Sequence, residues 1–226
     1  MTELALSAAL QHGMQSLGIS VSSEQSDKLL EYLELLVCWN SSYNLTAVRE
    51  PMEMVHRHLL DSLAIAALLP ATAQRLIDVG TGAGLPGVPL AVLYPERQFD
   101  LLDSNGKKTR FLFQVKTALG LDNMAVRHAR VEAWVPEQRY DVVLSRAFAS
   151  LSDMVKGCAH LCGENASLLA MKGQRPEAEL ADLPAWVQVR EIHELEVPGV
   201  DEARHLVDLQ LATRPQQQGL TGKISG

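Results

Sequence analysis

The chain has 226 residues, of which 47% are hydrophobic and 21% charged, and its formal net charge is −7. This length allows one large domain with a buried core, and the composition is ordinary for a soluble globular protein. The acidic balance argues against indiscriminate nucleic-acid binding. The three cysteines are too few for a disulfide framework, and no apolar run approaches the roughly 20 residues that span a bilayer. We therefore expect a cytoplasmic protein with no membrane anchor, and its first residues lack the basic start of a secretory signal.

The first part of the chain predicts helices. Apolar residues recur at helical spacing over 3–17, and the capping box that begins at Ser22 opens a second helix that runs to about residue 40. Pro51 suits the first turn of a third helix, which is predicted to extend to residue 69 either without interruption or with a break near Leu59. These segments predict an N-terminal helical cap over residues 1–72.

From residue 73 the pattern changes to alternating strands and helices. This succession predicts an α/β fold with a mostly parallel sheet, whose ligand lies at the carboxyl ends of the strands. Five strands are predicted at 76–79, 99–103, 124–128, 140–145 and 167–171, helices at 86–93, 107–119, 151–161 and 177–181, and a final antiparallel pair at 187–197 and 205–212. Residues 73–213 thus form the second predicted domain, with seven strands, and the glutamine- and glycine-rich residues 214–226 form a flexible tail.

A glycine-rich stretch follows the first strand. It reads Asp-Val-Gly-Thr-Gly-Ala-Gly-Leu-Pro-Gly from Asp78 to Gly87. Glycines let a backbone approach a ligand closely, and the free N–H groups of the next helix point at the same place. A nucleotide-like cofactor is therefore the first hypothesis for this loop.

Two cofactors compete for the loop. The glycines at 82, 84 and 87 match the dinucleotide fingerprint, and Asp103 stands about where its ribose-binding acid would lie, so an NAD(P)-dependent oxidoreductase is an alternative. Two features favour a different frame. The first glycine is already Gly80, and Pro86 alters the step into the helix that a pyrophosphate would use. The frame Asp-x-Gly-x-Gly-x-Gly from Asp78 resembles the first motif of class I S-adenosylmethionine (SAM)-dependent methyltransferases, in which an acid ending the second strand, here Asp103, binds the ribose.

Further motifs in register with this loop closely resemble the RsmG (GidB) family over roughly residues 5 to 210. That family consists of bacterial methyltransferases that modify guanine N7 in small-subunit ribosomal RNA. The motifs, in chain order, are Trp39-Asn40-x-x-Tyr43-Asn44-Leu45-Thr46, Arg57-His58-x-Leu60-Asp61-Ser62, the loop from Asp78 to Gly87, Leu102-Asp103-Ser104-x-Gly106-Lys107-Lys108-x-Arg110-Phe111-Leu112, Ser145-Arg146-Ala147-x-Ala149, Lys172-Gly173 and Arg204-His205-Leu206-Val207.

The resemblance implies a Rossmann-like class I fold, S-adenosyl-L-methionine as cofactor, and N7 of guanine 527 in 16S rRNA as the target. It also implies cofactor contacts by Gly80 and Leu85, by Val131 and Glu132, and by Arg146. Together with Asp78, Gly82 and Asp103 from the loop pattern, these are the predicted cofactor-binding residues. From the residues alone, Glu132 can accept from the adenine amino group, although an acid at such a position more often begins a helix. Arg146 could also orient the guanine through O6 or hold a phosphate.

Charge is unevenly distributed. Residues 103–146 hold eight Lys and Arg against five acids, whereas residues 176–202 hold eight acids and one arginine. A mildly basic middle between acidic surfaces fits a local polyanion-binding face, and two ordinary solvated surfaces fit as well. The basic residues considered for RNA contact are Arg57, His58, Lys107, Lys108, Arg110, Lys172, Arg175 and Arg204. We expect weak affinity for isolated RNA and a folded small ribosomal subunit as partner.

No constellation for acid–base or metal chemistry stands out. Cys158-x-His160-x-Cys162 has no second ligand pair, so we expect core thiols rather than a metal site. Guanine N7 carries no proton, so methyl transfer to it needs no general base, and we predict no catalytic residue of that kind. We expect a monomer. A non-catalytic RNA-binding or regulatory module is the third alternative, after the methyltransferase and the oxidoreductase.

Overall fold

The computed structural model describes residues 2–212, and its centre is a seven-stranded sheet. The strands are β1 (Arg75–Val79), β2 (Gln98–Asp103), β3 (Met124–His128), β4 (Tyr140–Ser145), β5 (Cys162–Lys172), β6 (Val187–Glu194) and β7 (His205–Leu211). Their order across the sheet is β3-β2-β1-β4-β5-β7-β6. The first five pair in parallel, and β7 runs antiparallel to both of its neighbours. This confirms the predicted α/β class, the seven strands and the closing antiparallel pair.

Four of the eight α-helices that the structure describes precede the first strand, the other four alternate with the strands, and helices cover both faces of the sheet. They are α1 (Glu3–Ser16), α2 (Ser23–Tyr43), α3 (Pro51–Met54), α4 (Asp61–Leu63), α5 (Gly87–Leu93), α6 (Gly106–Leu119), α7 (Leu151–Cys158) and α8 (Glu177–Ala181). Within residues 2–212, no helix has the length and apolar character needed to cross a membrane. The tail predicted at 214–226 lies outside the described residues.

The N-terminal helices begin and end where local chemistry directs them. Ser22 and Gln25 form the predicted capping box, with each side chain accepting from the backbone N–H of the other residue. Helix α2 continues to Tyr43, past the predicted end near residue 40, and stops where Asn44 takes a left-handed φ of 49°. The third predicted helix is interrupted by a π-helical turn at Val55–Leu60, which includes the suspected break at Leu59.

Two strand boundaries differ from the prediction by more than one residue. Strand β5 begins at Cys162 rather than at residue 167, because Tyr140 pairs with Cys162 and the next pair joins Val142 to Ser167. The intervening residues bulge, and Asn165 takes a left-handed φ of 58°. Strand β6 ends at Glu194 instead of continuing to 197. The chain leaves the sheet there and returns to it at β7, and Leu195 N–H donates to the Arg204 carbonyl across this loop.

The hydrophobic core has two parts, one on each face of the sheet, because successive strand residues point to opposite faces. Leu76 belongs to the part that includes the N-terminal helices, α5 and α6, whereas Ile77 belongs to the part that includes α7. Ala83 and Leu85 of the glycine loop lie in the first part together with Leu33 of α2. The predicted helical cap therefore shares one continuous core with the sheet. Its description as a separate domain over 1–72 stays a prediction.

Candidate functional site

The glycine loop turns tightly above the carboxyl ends of β1 and β2. Gly80, Gly82 and Gly84 have positive φ angles of 68°, 64° and 99°, conformations that residues with a Cβ rarely adopt. The backbone N–H groups of Gly80 and Thr81 both donate to the Leu102 carbonyl, at 2.8 and 3.1 Å. The loop is thus held by the end of the neighbouring strand, and Gly80 lies close to the carboxyl ends of the strands.

Asp78 lies beneath the loop with 1% of its surface exposed. Its Oδ2 accepts from Thr81 Oγ1 at 2.7 Å and from Gly87 N–H at 2.9 Å, so it ties the start of the loop to the start of α5. Burial disfavours the charged carboxylate and raises the pKa of Asp78 from 3.8 to about 6, although these two hydrogen bonds act in the opposite direction. Asp78 therefore organises the loop from below.

The same contacts disfavour a dinucleotide in this loop. A pyrophosphate needs free N–H groups at the helix start, but the Gly87 N–H donates to the Asp78 carboxylate and the Gly84 N–H to the Thr81 carbonyl. Pro86, which follows a cis peptide bond, has no N–H. A Cβ on Gly84 would meet the Val88 and Leu112 side chains at 2.5 and 2.7 Å, so this glycine serves internal packing.

A cavity of about 320 Å³ opens beside the loop. It is formed at the carboxyl ends of β1 and β2 and by the residues that follow β3 and β4. Four of the predicted cofactor-binding residues line it together: Gly80, Asp103, Val131 and Glu132. Its other walls combine apolar side chains, such as Ala129, Ala147 and Phe148, with the polar residues Ser104 and Arg130. The fold thus collects residues from four separate segments into one concave site, as expected at this edge of a parallel sheet.

Asp103 is the buried acid of this cavity. Its Oδ2 accepts from Gly82 N–H at 2.9 Å, and its Oδ1 accepts from Asn105 N–H at 2.8 Å. Lys108 Nζ lies 3.8 Å from Oδ2. The carboxylate is held rigidly by backbone donors, and each oxygen keeps a further lone pair with which it can accept from a ligand hydroxyl.

The other four predicted residues lie outside this cavity's lining. Asp78 lies beneath the loop. Gly82 does not line the cavity, but its N–H donates to the Asp103 carboxylate. Leu85 is 8% exposed and packs in the core. Arg146 directly precedes Ala147, which lines the cavity, but its own side chain lines a second cavity of about 290 Å³.

The second cavity contains an ionic cluster around a buried carboxylate. Arg146 Nη1 lies 3.1 Å from Oδ2 of Asp61, and Arg204 Nε lies 3.0 Å from Oδ1 of the same carboxylate. Asp61 is 2% exposed, so its charge is compensated by two guanidinium groups in a protein-enclosed setting. Lys172 also lines this cavity.

Sequence reasoning left two structural contacts unassigned. Asp61 belongs to the motif Arg57-His58-x-Leu60-Asp61-Ser62, but only the fold brings it to Arg146 and Arg204. Tyr32 of α2 is fully buried, and its hydroxyl donates to the Ala83 carbonyl in the glycine loop at 2.8 Å. Its position three residues after Leu29 on the apolar stripe of α2 was the signal that could have identified it as a buried residue.

The residues considered for RNA contact fall into different settings. Lys107 and Arg110 are exposed on α6. Arg57 is paired with Glu202 and Arg175 with Glu177. Lys172 is paired with Glu179. His58 is buried and shares a 2.8 Å hydrogen bond with Thr46, and burial lowers the pKa of its imidazole.

The cysteines of the 158–162 motif are buried in the core. The His160 Nε2 is 3.0 Å from the Trp134 carbonyl oxygen. Burial raises the pKa of the Cys158 thiol well above its ordinary value. Among the residues that the structure describes, no group of three His, Cys, Asp or Glu side chains is arranged to hold a metal ion.

Comparison with known proteins identifies close relatives. The family model described as "GidB: rRNA small subunit methyltransferase G" matches residues 25–207. A ribosomal RNA small subunit methyltransferase G from Pseudomonas paraeruginosa is 53% identical over 201 residues, which cover 89% of this chain and 94% of the relative. One of the same description from Hydrogenovibrio crunogenus is 50% identical over 203 residues, covering 90% and 93%.

Solved structures show the same fold at low identity. A SAM-dependent methyltransferase from Aquifex aeolicus superposes with a TM-score of 0.56 at 16% identity, covering 74% of this chain and 96% of that one. TrmN from Thermus thermophilus superposes with a TM-score of 0.52 at 17% identity, covering 70% and 53%. These likenesses confirm the predicted Rossmann-like class I methyltransferase fold.

Proposed function

The chain belongs to the rRNA small subunit methyltransferase G family, and from this premise we propose that it transfers the methyl group of S-adenosyl-L-methionine to N7 of a guanine in 16S rRNA. The observation that carries the proposal is the family match over residues 25–207, together with relatives about half identical across most of their length. The target nucleotide that the resemblance implies is guanine 527.

The chemistry of the first cavity fits the proposed cofactor. Adenosine presents ribose hydroxyl groups, a planar base and an exocyclic amino group. The buried Asp103 carboxylate would accept from the hydroxyls, and the Glu132 carboxylate from the amino group. Val131 and Phe148 supply apolar surface for the base. A concave site in which a few placed polar groups orient a ligand against apolar surface is typical of cofactor sites.

The loop residues would support this site in different ways. The absence of a Cβ at Gly80 leaves room beside Ala147, because a Cβ there would lie 2.6 Å from that side chain. Asp78 and the Leu102 carbonyl hold the loop in place. We therefore keep four further residues in the proposed cofactor site. Asp78, Gly82 and Leu85 would act by setting the shape of the loop, and Arg146 by its position between the two cavities.

The reaction makes modest chemical demands on the protein. The cofactor, when bound, supplies an electrophilic methyl group on a sulfonium. Guanine N7 has an exposed lone pair and no proton, so this chain need not remove one. Its residues instead contribute binding and alignment, and orientation alone can contribute up to ~7–11 kcal/mol in well-oriented intramolecular systems.

The proposal also concerns the form of the RNA. The net charge is −7, and ten of the described Lys and Arg side chains have their charge partly compensated in ion pairs, so the attraction to a bare RNA strand is weak. A folded small ribosomal subunit presents its target in a fixed geometry and needs less electrostatic attraction. We therefore propose the small subunit, rather than a short oligonucleotide, as the substrate.

A transfer assay tests the function. Purified protein is incubated with methyl-labelled S-adenosylmethionine and small subunits from cells that lack the gene, and the modified nucleotide is mapped. We expect labelling of a single guanine at N7, and no labelling of subunits from cells that carry the gene. Calorimetric titrations should detect S-adenosylmethionine binding and no NADH binding. Label at another base or atom, or NADH binding without methyl transfer, would contradict the proposal.

A further inference from the structure

The two cavities share a wall. Ala147 lines the first cavity and the preceding Arg146 lines the second. The turn that places them is held by Ser145, whose hydroxyl donates to the Val79 carbonyl at 2.8 Å and accepts from Ala147 N–H at 3.1 Å. Two adjacent residues therefore face different sites at the carboxyl end of β4.

A second connection crosses the same wall. Lys172, which lines the second cavity, lies with its ammonium group 3.4 Å from the carbonyl oxygen of Phe148, which lines the first. The Glu179 carboxylate holds this ammonium group at 2.8 Å. The second cavity is thus bounded by the ends of β4 and β5 and by His205, which begins the antiparallel β7 at the same edge of the sheet.

The second cavity is rich in hydrogen-bond donors. The guanidinium groups of Arg146 and Arg204, with side chains 30% and 20% exposed, flank one carboxylate that is 3% exposed. An arginine has five N–H donors. Arg204 donates through Nε to Asp61 and through Nη1 to the Ala203 and Glu202 carbonyls, so within residues 2–212 its Nη2 group remains for a ligand. Arg146 contacts Asp61 through Nη1 alone among these residues. Two guanidinium groups against one carboxylate leave a net positive wall, which suits a ligand that presents acceptor atoms.

Guanine presents such atoms beside its reactive position. Its O6 and N7 are adjacent acceptors, whereas adenine has an amino donor next to N7. An enzyme that modifies a base takes that base out of its stack and into a pocket. Building on the function proposed above, we propose that the second cavity receives the target guanine, that Arg146 and Arg204 donate toward its O6 edge, and that Asp61 is the positioning residue that orients both arginines.

This arrangement leaves N7 unengaged. The donors bind O6, so the N7 lone pair stays free to face the wall that separates the guanine from the methyl donor. When N7 attacks, its bond to the methyl carbon forms as the carbon–sulfur bond breaks, and that bonding pair stays on sulfur. Positive charge then develops on the base, and the Asp61 carboxylate partly offsets the repulsion from the two arginines.

The test uses three variants and a matched control. Arg204→Gln removes the guanidinium charge, Arg204→Lys keeps the charge without the fork of donors, and Asp61→Asn removes the carboxylate charge. Arg190→Gln is the control, because Arg190 also faces an acid of β7, with Nη1 3.8 Å from Asp208 Oδ2, but lies away from both cavities. Thermal unfolding of each variant shows which of them are folded. If Asp61→Asn does not fold, the Arg204→Lys variant still tests the proposal.

Three quantities are measured: affinity for S-adenosylmethionine, affinity for unmethylated small subunits, and the single-turnover rate with saturating subunits. For Arg204→Gln we expect both affinities within about threefold of the native protein and a rate at least about a hundredfold lower, which is the loss typical of one orienting donor. Arg204→Lys should lose about tenfold, and Arg190→Gln should react within about twofold of the native rate.

Asp61 is tested by a double-mutant cycle on the same rate. If it acts through the arginines, Asp61→Asn combined with Arg204→Gln slows transfer by clearly less than the product of the two single effects. If Asp61 has a merely structural role, the two substitutions act independently. The rate loss of the double variant then equals the product of the two single losses. Independent effects would therefore overturn the positioning role.

Other outcomes would also overturn the proposal. Unchanged rates in both Arg204 variants exclude a base site, and a parallel loss of cofactor affinity assigns the cavity to the cofactor. Weaker subunit binding with a smaller salt dependence, at an unchanged saturated rate, indicates a phosphate contact. If the native protein itself fails to methylate guanine N7, the proposed function fails. If it succeeds while the Arg204 variants match it, only the present inference fails.

Discussion

At the residue scale, the glycine loop depends on one carboxylate in the protein interior. Asp78 accepts two hydrogen bonds through Oδ2, while its Oδ1 is buried without a hydrogen-bond partner in the described part of the chain. An unpaired buried oxygen destabilises an ionised carboxylate more than a protonated one. The raised pKa of Asp78, about 6, follows from this setting and makes the stability of the fold depend on pH.

The sign of that dependence gives the first prediction. Between pH 3.8 and about 6 the folded protein keeps a proton on Asp78 that the unfolded chain has lost, so this group's contribution to the free energy of unfolding falls as the pH rises. The fall is at most about 3 kcal/mol, at 1.36 kcal/mol per pKa unit. Asp78→Asn, which stays neutral, should escape it.

Urea unfolding at several pH values between about 4.5 and 7.5 measures this effect. The free energy of unfolding of Asp78→Asn, taken relative to the native protein, should rise by about 1–3 kcal/mol across the range. The absolute values matter less than this slope, because the amide changes the local hydrogen bonds at every pH. A difference that stays constant with pH would show that Asp78 does not titrate in this window.

At the scale of elements, α2 is attached directly to the glycine loop. The Tyr32 hydroxyl donates to the Ala83 carbonyl inside the core, and the neighbouring Leu33 packs in the same cluster. The burial of this hydroxyl raises the pKa of Tyr32 above its ordinary value, so it remains a donor throughout the physiological range. An N-terminal helix thus helps to set the shape of a loop that is far away in sequence.

Tyr32→Phe tests this attachment. The variant leaves the Ala83 carbonyl without its partner, and we expect a loss of about 1–3 kcal/mol in the free energy of unfolding. Affinity for S-adenosylmethionine should fall as well, because the loop becomes less rigid. Tyr43→Phe is the control, since Tyr43 is 44% exposed and stacks on Trp39 near the end of the same helix. Equal effects of the two changes would contradict a specific role for the Tyr32 hydroxyl.

At the scale of the whole molecule, the reaction should show little dependence on pH. The proposed mechanism uses alignment and no general base, so the single-turnover rate with saturating cofactor and small subunits should form a plateau between about pH 6.5 and 8.5. Thermal unfolding across the same range checks that the fold is intact. A rate that rises in proportion to the deprotonation of one side chain would show that this chain supplies a base after all.

The outline of the fold was predictable because it rests on local patterns. Strand and helix periodicity located all seven strands, and the capping box at Ser22 marks a helix start in the structure as expected. The start of β5 was missed because its bulge places turn residues, Gly163 and Asn165, inside a strand. Such a boundary depends on pairing with Tyr140 across the sheet, which a single segment does not reveal.

The sequence alone determined the family and the fold class, because these follow from motif order and periodicity. It also predicted which edge of the sheet carries the candidate site, because parallel strands present their carboxyl ends together. The tertiary structure decided which residues of those motifs meet. Gly80, Asp103, Val131 and Glu132 line one cavity, and Arg146 turns away toward Asp61 and Arg204. Spacing along the chain could not predict that cluster, because its members come from α4, the end of β4 and the start of β7, and only packing brings their charges within hydrogen-bonding distance.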